Sequence, residues 1–380
     1  MEMKQIYSLV NDITNETLGK SDLLKEDLSN IADVGTAIFD STSVDKYVKS
    51  LVDHIGKVVF VNRAYKGNAP SVLMDGWEFG SVLEKISTDL PEATENESWE
   101  LTDGASYDVN VFYKPKAETK FFNKRVTFEI PMSFTERQVK SAFSSAEQMN
   151  GFISMIQSSI EKSMTVKLDS LIMRTINNMT AQTIHNGNTV RAVKLLTDYN
   201  AKFSKNLTAD DAITDPAFIR YATYVIGLYV DRLSKMSTLF NIGGKERFTA
   251  NEDLHVVLLS EFKQSAMAYL ESDTFHNELV KLPNAESVPY WQGSGTDYGF
   301  DSTSKITVTT QNPTGTGTVD IEQSGIIGVM FDRDALGVAN LDRRVTTNYN
   351  AKAEFYNNYY KFDCGYFNDT NENFVVFMVA

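Results

Sequence analysis

The residue types that could carry covalent or acid–base chemistry are few in this chain, and their spacing is wrong for it. Of 380 residues one is cysteine and four are histidine. Cys364 has no histidine near it in sequence, and His54, His185, His255 and His276 share no metal-ligand spacing, so structural or surface roles are favoured for all five. Lys245 follows Gly243-Gly244, yet no glycine stands five residues before Gly244, and Glu246 takes the place of the Ser or Thr that a phosphate-binding loop needs. Gly293 and Gly295 with Gly299 are misplaced for a dinucleotide turn and lie in polar sequence. No Gly-x-Ser-x-Gly elbow or His-Glu-x-x-His pair is present. Asp210-Asp211 behind Thr208 fits a helix start, where caps and negative charge are stabilising, better than a catalytic carboxylate pair. The expectation is a protein that is not an enzyme and takes no cofactor or metal.

The charged residues point to contact instead. Lys114, Lys116, Lys120, Lys124 and Arg125 form the one basic run in a chain of net charge −14. A solvated hairpin face is the first reading of that run, with salt bridges to another subunit as the alternative. Asp332-Arg333-Asp334 and Asp342-Arg343-Arg344 read as strand-edge or turn charges that could pair across a symmetric contact. With Trp77 and Phe79, these are the candidate intersubunit residues: Lys114, Lys116, Lys120, Lys124, Arg125, Asp332, Arg333, Asp334, Arg343 and Arg344.

Composition narrows the class further. At 42% hydrophobic and 11% aromatic the chain is folded, and it is long enough for two or three lobes. The acidic balance argues against a dedicated duplex-DNA or anionic-membrane binder, which would need surplus Lys and Arg. A single cysteine permits no intrachain disulfide, so a reducing compartment is expected. The first residues lack an apolar run behind a basic patch, and no later stretch approaches the roughly 18 apolar residues of a membrane span. A soluble, cytosol-made protein with no membrane partner is expected.

The elements that would position the contact residues are ordered around one helix. From Phe152 to about Asn186 there is no Gly or Pro, and Phe152, Ile156, Ile160, Met164, Leu168, Leu171 or Ile172, Ile176, Met179 and Ile184 keep the spacing of one buried face. Such a helix spans on the order of 50 Å, longer than a small domain, so it must have company along its length. Ser144-Ser145-Ala146-Glu147 and Ser133-Phe134-Thr135-Glu136 carry capping-box signatures for it and for a short helix before it. Upstream, residues 1–55 read as an arm with helical pieces, and 57–131 as extended, largely antiparallel structure with too few apolar residues to close a core, including a strand over 57–63. Downstream, helices are expected at about 189–205, 216–240 and 263–276, with Asp215-Pro216 as a cap and a buried strand at Val256-Val257-Leu258-Leu259. Residues 283–324 are Gly-, Ser- and Thr-rich and read as a long polar loop. Strands then return at 325–331, 353–367 and 374–379, where Tyr356, Tyr360, Phe362 and Cys364 share one parity. These strands are expected to pack against the long helix.

In this order the parts resemble the major capsid protein of tailed bacteriophages, the Hong Kong 97 fold, and within it the small podoviruses of the phi-twenty-nine type. The resemblance rests on Asn30-Ile31-Ala32-Asp33-Val34-Gly35 and Ser50-Leu51-Val52-Asp53-His54-Ile55-Gly56 in the arm and on Lys140-Ser141-Ala142-Phe143 before the spine. It continues in Glu252-Asp253-Leu254-His255, Phe331-Asp332-Arg333-Asp334-Ala335-Leu336 and Asn357-Asn358-Tyr359-Tyr360. It implies an α+β fold with N-terminal arm (1–55), extended loop and peripheral strands (56–132), spine helix region of the peripheral domain (133–186), axial domain (187–325) and returning peripheral strands (326–380). It implies a self-assembling shell of hexamers and pentamers, icosahedral or prolate, around double-stranded DNA held without sequence-specific binding. Portal and scaffold proteins are the further partners implied, with assembly in the host bacterial cytoplasm. An immunoglobulin-like domain found after the last strand of some relatives is not expected here. Some members crosslink through a Lys and an Asn, but Lys66 and Asn68 are only generic turn residues. The arm and loop are expected to stay wet until other subunits cover them. An encapsulin-like cage of the same fold is the near alternative, and an α+β enzyme with its site in 283–324 the distant one.

Overall fold

The computed structural model describes residues 3–18, 24–25, 27, 29–39, 46–51, 69–74, 83–91, 93–271, 285–292, 303–311 and 317–379. In chain order its elements are α1 (Met3–Leu18), α2 (Ile31–Phe39), β1 (Leu73–Met74), β2 (Leu83–Thr88), β3 (Ala117–Phe122) and β4 (Arg125–Thr135). There follow α3 (Glu136–Ala142), α4 (Ala146–His185), β5 (Ala192–Lys194), α5 (Leu195–Phe203), α6 (Ala209–Ala212), α7 (Pro216–Leu233), β6 (Leu254–Leu259) and α8 (Ser260–Glu271). The chain closes with β7 (Ala285–Val288), β8 (Ile306–Gln311), β9 (Thr318–Gln323), β10 (Ile326–Asp332), β11 (Leu336–Asn350), β12 (Phe355–Asn368) and β13 (Phe374–Met378). Contacts divide it into two units: 1–70, 125–171 and 339–365, and 71–124, 172–338 and 366–380. Among the described residues no helix is long and apolar enough to cross a membrane.

The spine, α4, runs for 40 residues, about 60 Å at the usual rise. It starts at Ala146, six residues before Phe152, with Ser145 rather than Ser144 accepting the Gln148 N–H at 3.2 Å. The short helix before it is capped two residues later than expected, with Thr135 and Gln138 forming the reciprocal box. In the first unit the helix buries Met149, Ile153, Ile156, Ile160, Met164 and Leu168. Between 172 and 183, in the second, only Arg174 is exposed, so one stripe widens until the helix is almost enclosed.

The first unit also holds β12 antiparallel to β4 from Phe355↔Thr135 to Gly365↔Arg125. Tyr356, Tyr360, Phe362 and Cys364 are all buried, as their parity required. The arm departs from expectation. Its described apolar residues Val10, Ile13, Ile31, Val34, Ile38, Tyr47, Val48 and Leu51 are buried within the subunit. Tyr47 packs on Phe143 at 5.5 Å, and Gly35 lies so near that a Cβ would meet the Phe143 Cβ at 2.6 Å. The expected strand over 57–63 lies outside the described residues.

The second unit is built on a five-stranded mixed sheet in the order β5-β13-β10-β6-β7. The four strands of 326–380 fall in two sheets. β10 and β13 are continuous apolar runs, buried on both faces, and join β6 at the centre of this sheet. β11 and β12, neighbours in another sheet, alternate and serve a half-buried surface. Asp215 caps α7 with Pro216 behind it, as read, but the helix stops at Leu233 and leaves Met236 half exposed. The helix read from 189 begins at Leu195, since 192–194 join the sheet. α8 is described to Glu271. The stretch 283–324 is not a structureless loop: it contributes β7 to the sheet and pairs β8 with β9 as a hairpin, Thr309 Oγ1 donating to Asp320 Oδ1 at 2.6 Å.

Candidate intersubunit contact surface

β2 and β3 pair from Leu83↔Phe122 to Thr88↔Ala117, and among the described residues of 89–116 between them there is one short 3-10 turn, Glu97–Trp99, and no strand. Local hydrogen bonds shape this crown. The Asp89 N–H donates to Lys116 O at 2.9 Å, Thr102 N–H to the Tyr107 hydroxyl at 3.1 Å, and Asn110 N–H to Asp108 Oδ1 at 2.9 Å. Among exposed acidic side chains, Glu95, Glu100, Asp103 and Asp108, the crown displays large apolar ones: Trp99 is 95% exposed, Val109 90%, Phe112 84% and Tyr113 84%, with Leu90, Leu101, Tyr107 and Val111 also exposed. Burying one such side chain stabilises by about 1.5–3 kcal/mol, and an isolated subunit forgoes that at each. Large apolar side chains exposed in this number on one segment point to an interaction surface.

The hairpin below the crown inverts the usual polarity. Ile86 and Phe121 point outward and are exposed, while Lys85 and Lys120 face the lobe. The two lysines lie directly opposite each other in the ladder, where like charges repel. Asp369, only 3% exposed, lies between them, 3.0 Å from Lys85 Nζ and 3.1 Å from Lys120 Nζ. Lys85 also donates to the Asp334 carbonyl at 2.9 Å and to Glu372 at 3.4 Å, and Glu372 takes Arg247 at 3.3 Å. Burial pushes the Asp369 carboxyl up, but Lys85, the Asn371 N–H and Lys120 outweigh it and hold the group below the usual carboxylate range. Apolar contact at the seat includes Phe122 on Phe367, 5.2 Å between ring centroids.

A second bracket closes the neck. Lys245 Nζ lies 2.9 Å from Asp89 and 3.2 Å from Glu118. The hydrogen bonds that Lys245 donates to these carboxylates raise the lysine and, in return, lower Asp89. The turn that presents Lys245 is fixed by Asn241, whose side chain bonds both the N–H and the carbonyl of Lys245 at 2.7 Å. Gly243 donates its N–H to Thr370 O at 2.8 Å, and a Cβ there would stand 2.0 Å from Asn371 Oδ1. A cavity of ≈ 260 Å³ opens beside this bracket, lined by Thr88, Asp89, Thr238, Lys245 and Arg247 among others.

The basic run does not act as one patch. Lys120 turns into the lobe, whereas Lys114, Lys116, Lys124 and Arg125 are exposed. Arg344 is engaged inside its own subunit, 2.8 Å from Asp363 and 3.2 Å from Asp342. Asp332 accepts from the Thr249 hydroxyl and the Asp334 N–H, both at 2.8 Å, and burial raises it. Arg333 and Asp334 are exposed, and Arg343 is half-buried, its guanidinium lowered by desolvation. Cys364 is buried and donates to Asn340 Oδ1 at 3.6 Å, and the His255 ring lies on Phe331 at 5.9 Å. Trp77, Phe79, His54, His276, Lys66 and Asn68 lie outside the described residues. Sequence reasoning missed Lys85, Asp369 and Glu372, and met Lys245 only as a failed phosphate loop. The available signal was the Gly-Gly-Lys turn itself, a cation on a tight loop with no ligand to hold.

The chain as a whole is similar to known proteins. The model of the Phi29-like phage major capsid protein family matches residues 10–378. The major capsid protein of Bacillus phage GA-1 is 28% identical over 167 residues, 42% of this chain and 34% of that protein, so the match spans about a third of the relative's length. Two solved structures share the fold: the capsid of Staphylococcus phage Andhra, at 11% identity, 84% and 86% coverage and a TM-score of 0.51, and a structure of head fiber and inner core protein from bacteriophage P68, at 10%, 84%, 86% and 0.53.

Proposed function

The chain belongs to the Phi29-like phage major capsid protein family, a structural family and not one of enzymes, and we propose that copies of it form the hexamers and pentamers of a closed shell around double-stranded DNA. The observation that carries the proposal is the crown: aromatic and aliphatic side chains held away from any core of their own, on a hairpin seated by charge. Rings of five or six need heterologous contacts, one surface of a subunit meeting a different surface of the next. A projecting crown supplies the first of those surfaces, and Lys114 and Lys116 at its foot supply cations for the rim.

The contact roles of Lys124, Arg125, Arg333, Asp334 and Arg343 belong to the same proposal, as do the boundaries of arm, loop, spine region, axial domain and returning strands. Lys120 and Arg344 act within the subunit. Net charge of −14 suits an enclosure that must not adhere to the DNA it holds. Portal and scaffold proteins would complete the particle, assembled in the host cytoplasm.

The test is to replace 90–115 by a Gly-Ser linker and compare it with the intact chain. The intact chain is expected to yield rings or shells in negative-stain micrographs. The linker variant should keep its thermal midpoint within a few degrees, because the crown buries little in the subunit, and remain monomeric on size exclusion. Shells formed by the linker variant would refute the reading.

A further inference from the structure

We infer that Asp369 is the positioning residue of the extended loop: by holding Lys85 and Lys120, one from each strand, it sets the angle at which the hairpin leaves its lobe, and that angle governs the curvature of the assembled product. The inference rests on the shell-forming reading above.

Two strands paired over six residues are marginal as an independent structure and would swing together if nothing tied them. Asp369 is well placed to tie them because it is itself fixed on the lobe. Its N–H donates to Ala335 O at 2.7 Å, its Oδ1 accepts the Asn371 N–H at 3.0 Å, and its carbonyl accepts the Glu372 N–H at 3.2 Å. The carboxylate is thus aimed before either lysine arrives. On the hairpin side the Lys85 ammonium, with three N–H donors, has three acceptors within 3.4 Å in Asp369, Glu372 and the Asp334 carbonyl. Contacts from two neighbouring strands to one fixed group restrain rotation as well as distance. Remove the charge and the arrangement reverses its sense, because Lys85 and Lys120 then face each other without the counter-ion between them. Taking one partner from a buried charged cluster is far more damaging than never having built it.

The experiment uses the full chain and the variants Asp369→Asn, Lys120→Met and Lys85→Arg. Subunits before assembly are digested briefly with a glutamate-specific protease, whose sites include several in the crown. Assembled products are then sized in micrographs, and thermal melts confirm that each lobe is folded. Asp369→Asn is expected to raise the initial cleavage rate in the crown about tenfold and to replace closed shells by open or irregularly curved products. Lys85→Arg should behave as the parent chain. Unchanged cleavage together with shells of the parent diameter would overturn the inference. If Asp369→Asn fails to fold, Lys120→Met is judged by the same two outcomes. Absence of shells from the parent chain would overturn the functional reading instead, and the cleavage comparison would still decide the role of Asp369.

Discussion

At Asp369 two opposing physical effects meet, and their balance predicts a pH response. Its native carboxyl is held below the value it has in the unfolded chain, about 3.9. The charge therefore contributes stability in full above that value and loses it as pH falls through the lower, native one. The unfolding free energy of the parent should exceed that of Asp369→Asn by on the order of 3 kcal/mol at neutral pH. In paired denaturant titrations the gap should stay constant from pH 8 to about 5 and shrink below about 4. A gap that closes between pH 6 and 8 would mean that another group holds the hairpin. None of this was legible beforehand, since Lys120 and Asp369 are 249 residues apart, and neither spacing nor periodicity connects residues that only the fold brings together. For Cys364 and His255 the sequence favoured structural or surface roles, and the fold buries Cys364 and lays the half-buried His255 ring against Phe331.

Elements with a strong period were read well, and those whose partner lies elsewhere were not. The spine helix, the Asp215-Pro216 cap and the alternation of β12 declare themselves in one window of sequence. The division of β10 and β13 from β11 and β12 does not, although uninterrupted apolar runs against alternating ones were the clue. The hairpin β8–β9 was hidden by polarity: its Thr-rich strands lack an apolar signal, and only their β-branched content spoke for strand. The arm was misjudged because its short amphipathic pieces have no local partner; Phe143, far along the chain, covers Tyr47. Tyr47→Ala should therefore cost the isolated subunit about 3–5 kcal/mol, read as a lower denaturant midpoint. Gly35→Val, forced against Phe143, should cost about 1–3 kcal/mol. Equal midpoints for parent and variants would show that the arm docks only on neighbours.

At the scale of the whole molecule, this subunit keeps most of its apolar surface for itself, spine, sheet and arm included, and leaves a crown of aromatic residues in water on a charge-seated hairpin. On the proposed reading, that division lets a chain fold before assembly and gain stability from each neighbour it meets. Its central claim is that a second copy covers the crown. Hydroxyl-radical footprinting of dissociated subunits and of assembled particles measures this directly, with Trp99, Phe112 and Tyr113 as reporters and buried Trp291 as the internal control. The account predicts that all three crown residues label strongly in the subunit and at least several-fold less in the particle, while Trp291 is unchanged; equal labelling of the crown in both states would contradict it.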